Sequence, residues 1–222
     1  MLANGNNTMS FNSFSEVPQF PYKMIEVLLT ETDQKVEDFW KLLKYTDVDC
    51  LEKNNLSYEE KLDMVWTGDT IEQKYNIFVK PLVGSSLDTS EAQTQLRLYR
   101  YNTMPTNQYQ AIICFEADFY TNEKTCLVRK DGILCEKTDL MESLFIDIMN
   151  GRDISIGSGL FSFNRELSRS CNSQLNIGNS KSFYGRSLVM GLTFASVESG
   201  GACGWYWIFK VGLFYKYGRC SI

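Results

Sequence analysis

The sequence predicts an α+β protein: an antiparallel sheet with a packed helix, preceded by an N-terminal helical subregion and followed by an aromatic C-terminal strand extension. Three stretches carry this prediction. Residues 139–149 place Leu140, Leu144 and Ile148 at i, i+4 and i+8, flanked by Met141, Phe145 and Met149, so one broad helical face is apolar and wants a sheet to lie on. In the run from Ser187 to Phe194, Leu188, Met190, Leu192 and Phe194 share one face at period two. Tyr109 to Tyr120 alternates likewise, with Ile113, Phe115, Ala117 and Phe119 on one side and Ile112, Cys114, Glu116 and Asp118 on the other.

In chain order, residues 1–19 read as an N-terminal arm, extended and with little apolar content to bury. Its first dozen residues lack the basic start and apolar core of a secretory leader. Residues 20–68 form the helical subregion. Met24 to Leu29 open it as a helical or extended segment, and Val36, Phe39, Trp40 and Leu43 then stand at i, i+3, i+4 and i+7, with Thr30 or Thr32 as the expected cap. Ser57-Tyr58-Glu59-Glu60 is a capping box for a second helix through Leu62, Val65 and Trp66 to Gly68.

Residues 69–199 form the α+β core domain. Ile77 to Val79 read as a short strand, Val83 to Gln93 as a loop, and Leu96 to Tyr101 as a strand with Arg97 and Arg100 on a wet face. A turn at Met104-Pro105-Thr106-Asn107 would then join it to Tyr109–Tyr120 as a hairpin. Asp139 and Glu142 are spaced as the N-cap and N3 partner of the packed helix, and Gly151 as its stop. Gly157 and Gly159 mark the entry to Leu160, Phe161 and Phe163, and the Ser- and Asn-rich stretch from Ser168 to Ser182 reads as an exposed loop.

Composition narrows the chemistry. Across 222 residues, 22 basic and 27 acidic side chains give a net charge of −5 with no histidine, which argues against a phosphate-tracking surface. Without histidine the usual serine and cysteine triads cannot be built, and mixed Cys/His zinc sites are excluded. The seven cysteines form no close pair and read as reduced, mostly buried thiols. Glu116 with Asp118 is the one tidy carboxylate pair, and two acids on a half-exposed strand read as solvated charges before a catalytic dyad. Gly157-Ser158-Gly159 lacks the lysine and helix that a phosphate loop needs. Arg165, Arg169 and Arg186, with Glu166 and Glu198, read as solvated or as subunit ion pairs. No catalytic, cofactor-binding or metal-binding residue is assigned.

Residues 200–222 form the aromatic C-terminal extension. Small residues from Gly200 to Gly204 precede a run in which Trp205, Trp207, Phe209, Val211, Leu213, Tyr215 and Tyr217 share one face at period two. The run is too short for a membrane-crossing helix and carries Lys210 and Lys216. Three roles remain open: a final core strand bent at Gly212, a strand added to a neighbouring subunit's sheet, or a membrane-surface contact. The seven residues are the candidate subunit interface.

Four segments together resemble the head-to-tail connector and tail-terminator proteins of tailed bacteriophages: Ala111 to Tyr120, Asp139 to Met149, Ile156-Gly157-Ser158-Gly159-Leu160, and Phe183 to Phe194. Lys41-Leu42-Leu43-Lys44-Tyr45-Thr46 is similar to a helix end near the start of some neck proteins, including those of crAss-like phages. The resemblance covers residues 20–196 and implies a tail-terminator-like subunit, not an enzyme, assembled in the host cytoplasm into a homo-oligomeric virion ring. Six or twelve copies would close it, with twelve preferred. Such a ring would join the portal side of the capsid, or adjacent neck and tail rings, to the tail, and DNA would pass through it without specific binding. A baseplate or capsid-associated adaptor is the alternative, and a carboxylate-based hydrolase the third.

Overall fold

The computed structural model describes residues 14–68, 75–81, 93–107, 109–153, 159–164, 166 and 183–195. Phe14–Gln19 form a 3-10 turn that leads into α1 (Phe20–Thr30), whose first turn holds Pro21, a position where a missing N–H has no helical partner to lose. The expected arm therefore joins the fold from Phe14 onward. Val17 is buried, and Phe14 meets Phe194 edge-on with ring centroids 5.3 Å apart. Helix α2 (Gln34–Lys44) buries Val36, Phe39, Trp40 and Leu43, as their spacing predicts. Its cap is Asp33, neither Thr30 nor Thr32: the Asp33 carboxylate accepts from the Lys35 N–H at 2.8 Å. One side chain thus supplies both a cap and a charge favourable to the helix dipole. Trp40 Nε1 donates to the Leu28 carbonyl at 2.8 Å and locks α2 to α1.

The capping box at Ser57 and Glu60 forms in both directions and starts α3 (Tyr58–Asp63). The helix ends well before Gly68, because Val65 and Trp66 leave it to pair with Ile77. That pairing begins the sheet. Its order is β1 (Ile77–Phe78), β2 (Thr94–Asn107), β3 (Gln110–Asn122), β7 (Phe183–Ala195) and β6 (Ser162–Phe163), with β1 parallel to β2 and every other pair antiparallel. The turn expected at residues 104–107 is still strand. β2 continues to Asn107 with a register shift between Arg100 and Asn102, and the reversal falls between Asn107 and Gln110.

A two-stranded sheet of β4 (Leu127–Lys130) and β5 (Ile133–Glu136) lies between β3 and the next helix, where the sequence pattern predicted no strand. Asp131 and Gly132 turn it with φ of 52° and 80°, the left-handed pair that suits a tight hairpin. Helix α4 (Lys137–Met149) follows at once and buries Met141, Leu144, Phe145, Ile148 and Met149. It starts earlier than expected, so Asp139 is not its cap; Glu136 holds that position without a side-chain cap bond. Asp139, Glu142 and Glu136 instead meet Arg186 of β7 at 3.3, 3.4 and 3.5 Å, so Arg186 is not a freely solvated charge. Gly151, with φ of 78°, follows the helix end as expected.

α1, α2 and α4 cover one sheet face. Phe39 and Phe145 each stack on Phe119 of β3, at 6.4 and 5.6 Å, and on each other at 5.8 Å, while Phe20 meets Phe115 at 5.8 Å. Leu188, Met190, Leu192 and Phe194 join the same core, so the period-two reading of β7 holds. A cation is buried at its margin: Lys137 Nζ donates to the Tyr45 carbonyl at 2.7 Å and to Thr94 Oγ1 at 3.2 Å. Burial pushes its ammonium down to about 8, against an ordinary 10.5.

Two outcomes follow for stability. The unfolded chain holds the Lys137 proton more tightly than the native one between pH 8 and 10.5, so stability rises with pH through that window. In denaturant titrations, wild type should gain on Lys137→Met across it. At Gly185 a Cβ would overlap the Phe119 carbonyl oxygen, whereas at Gly191 its nearest neighbour, Ile112 Cγ2, lies 3.6 Å away. Gly185→Ala should cost about 1–3 kcal/mol by urea unfolding, and Gly191→Ala should be near neutral.

Candidate functional site

The sheet face opposite α1, α2 and α4 carries the polar residues of the three long strands. On β2 these are Gln95, Arg97 and Tyr99, on β3 Glu116, Asp118 and Tyr120, and on β7 Ser187. Strand alternation places Glu116 and Asp118 on one face as the sequence predicts, but Asp118 is not solvated. Only 3% of Asp118 is exposed, and Glu116 is half-buried. Three hydroxyls donate to the Asp118 carboxylate: Ser187 Oγ at 2.5 Å, Tyr99 Oη at 2.8 Å and Tyr120 Oη at 3.1 Å. The donors come from three adjacent strands. Burial raises the Asp118 carboxyl above the ordinary aspartate value, opposed by these hydroxyls and by the Arg97 charge. Burial and the Asp118 charge push the Tyr99 and Tyr120 phenols upward, so both stay protonated as donors.

Arg97 is fully buried rather than wet. Its Nε and one terminal nitrogen donate to Gln95 Oε1 at 3.3 and 3.0 Å, the other terminal nitrogen donates to the Pro81 carbonyl at 3.3 Å, and the guanidinium lies 4.2 Å over the Phe78 ring. Phe78 in turn faces Trp66 at 6.1 Å, and Lys80 Nζ caps Trp66 at 4.2 Å. Cation and ring alternate down this stack, which gives Arg97 a partner on its flat face as well as its edge. With its lone pairs taken by three O–H donors, Asp118 is arranged to hold strands in register rather than to take a proton from a substrate.

A second feature lies at the sheet's rim. β2 pairs on its outer side with β1 only as far as Arg97, and from Tyr99 to Asn107 no described strand lies beyond it. Leu96 sends its N–H outward to Asn76; strand alternation and the register shift then direct the backbone groups of Arg100, Thr103 and Pro105 outward. Along this rim runs a groove of about 640 Å³, lined among others by Phe14, Val17, Tyr101, Thr103, Pro105 and Ile113. The Thr103 hydroxyl is buried without a partner. No sequence pattern announced this groove, since it depends on β2 running past Pro105 and on Phe14 folding back.

Of the other expected features, Trp205, Trp207, Phe209, Val211, Leu213, Tyr215 and Tyr217 lie outside the described residues, as do Ile156-Gly157-Ser158, Arg165, Arg169, Glu198 and the Ser168–Ser182 stretch. Cys50, Cys114, Cys126 and Cys135 are free thiols, and burial raises the first, second and fourth above the ordinary cysteine value, which makes them poor nucleophiles. Among the described residues no group of three Cys, Asp or Glu side chains could hold a metal ion, and no helix is long and apolar enough to cross a membrane. No family model, curated protein or solved structure matches the chain.

Truncation and isosteric replacement separate the roles of Asp118. Asp118→Ala takes the acceptor from the buried hydroxyls of Ser187 and Tyr120 and should cost about 1–3 kcal/mol. Asp118→Asn keeps the shape and removes the charge. Because the native carboxyl titrates above the unfolded one, the native state binds more protons just above pH 3.8 and wild-type stability falls there as pH rises. Unfolding curves of Asp118→Asn should lack that component, so the variant gains on wild type as pH increases through the window.

Proposed function

We propose that this protein is a structural subunit of a tailed-phage virion, a ring in the neck or upper tail that joins the portal side of the capsid to the tail and lines the DNA conduit. The observation that carries this reading is the outer half of β2, a strand edge that no strand among the described residues covers, beside a groove of mixed polar and apolar lining. Unpaired edges invite another chain, and a closed ring of subunits is one arrangement that covers every one of them. The β4–β5 hairpin adds to the reading, since Leu127, Ile133 and Leu134 are 45%, 71% and 53% exposed on two adjacent short strands. The net charge of −5 suits a conduit that lets DNA slide without gripping it. Twelve copies is the preferred closure and six the alternative.

Light scattering of the purified protein, with negative-stain images of the same sample, tests the reading. A closed ring, formed alone or on mixing with portal or tail proteins of the same phage, is the expected result. A stable monomer indifferent to those partners would overturn it.

A further inference from the structure

We infer that the bare β2 edge and its groove receive the aromatic segment 205–217 of a second copy of this chain. The inference rests on the ring reading above and adds to it the acceptor surface. Three observations meet here. The first is the acceptor's shape. The outward backbone N–H of Arg100 is a donor, that of Thr103 is held by the Asn102 side-chain oxygen at 2.7 Å and would have to exchange it, and the flanking groove offers Phe14, Tyr101 and Pro105 among the polar side chains of Arg100, Asn102 and Asn107. The register shift near Tyr101 and the missing N–H of Pro105 shorten the window for backbone pairing, so most of the attraction must come from the side chains in the groove.

The second is the donor's chemistry. Trp205, Trp207, Phe209, Val211, Leu213, Tyr215 and Tyr217 fall on one face at period two, so a strand in this segment turns a wholly apolar side to whatever it lies against. That suits an acceptor whose backbone window is short and whose groove sets Phe14, Tyr101 and Pro105 beside the Arg100 guanidinium, a cation that can lie on ring faces. The third is where the described chain ends. Ala195, the last residue of β7, pairs with Gln110 beside the β2–β3 reversal, at the same end of the sheet as the groove. Residues 196–204 can span about 30 Å if extended, enough to reach an adjacent subunit. β7 runs parallel to β2 and leaves the sheet past the hairpin tip, so pairing with its own β2 would require the chain to reverse and cross that hairpin.

Donor on one side and acceptor on the other make a head-to-tail contact, which closes into a ring when the rotation per subunit allows it. Complementation between full-length variants tests this directly. One variant, Phe209→Asp with Leu213→Asp, spoils the donor. The other, Tyr101→Asp, spoils the acceptor at a residue 44% exposed; Arg100→Pro, which removes an outward N–H at an exposed residue, serves if Tyr101→Asp does not fold by circular dichroism.

Each variant alone should run as a monomer by light scattering. Mixed in equal amounts they should form a 1:1 dimer that grows no further, because only one intact donor and one intact acceptor remain. If wild type forms rings and the acceptor variants form them equally well, the edge assignment fails while the ring reading stands. Monomeric variants that give no dimer on mixing overturn the inference as well. A wild type monomeric in every mixture removes the ring reading itself.

Discussion

The sheet depends on one buried carboxylate. Asp118 sits at the centre of β3 and takes hydrogen bonds from Tyr99 on β2, Ser187 on β7 and Tyr120 on its own strand. A one-residue slip of either neighbour would turn its donor to the opposite face and leave the charge buried with too few partners. Charge-assisted bonds to an ionised group are the stronger kind, which is what makes one residue able to fix two pairings. The raised carboxyl shows that burial still outweighs the donors. Asp118 therefore acts chiefly through specificity, by making other registers worse, more than through net stability.

Once register is fixed, the helix-facing side of the sheet is fixed too. Ile113, Phe115, Ala117 and Phe119 of β3 and Leu188, Met190, Leu192 and Phe194 of β7 then point to α1, α2 and α4, and the rings of Phe20, Phe39 and Phe145 close on Phe115 and Phe119. Two cations tie that layer to the strands from opposite directions. Lys137 reaches from the first turn of α4 to the end of α2 and to β2, and Arg186 reaches from β7 back to three acids at or near the start of α4. The start of α4 is thereby held at the junction of helices and sheet, although the side chain at its cap position, Glu136, accepts from no backbone N–H of the helix.

Periodicity made the fold class legible, and the individual charges were where it misled. Val36, Phe39, Trp40 and Leu43, the two faces of β3 and the apolar face of β7 were all readable, because each reports a repeat that backbone geometry imposes. Arg97 and Asp118 read as wet because a charge on an alternating strand usually is; their burial depends on Phe78, Pro81, Tyr99 and Ser187, brought from distant parts of the sequence. The β4–β5 hairpin did leave a signal in Asp131-Gly132, a pair suited to a tight reversal between short strands. Pro105 pointed the wrong way. Proline is frequent in turns but equally at home on a strand edge with no partner on that side, and only the pairing of Pro105 with Ala111 distinguishes the two.

That edge position divides β2 into halves with different physics. From Thr94 to Leu98 the strand is buried, with β1 alongside its first part; from Arg100 to Asn107 it is exposed or half-exposed, with no strand among the described residues on its outer side. The inner half shares the core with α2 and β3, so it is committed once the chain folds. The outer half contributes Arg100, Tyr101, Thr103 and Pro105 to a groove whose floor is the edge of the core at Val17, Ala111 and Ile113. An edge of this kind is dangerous when any strand can add to it, and the register shift near Tyr101 together with Pro105 limits what backbone alone can capture. Selection then passes from main-chain hydrogen bonds, which every strand offers, to side chains that fit against Phe14, Tyr101 and Pro105, which few do. A surface that rejects most strands and keeps room for apolar side chains is suited to a specific partner rather than to aggregation.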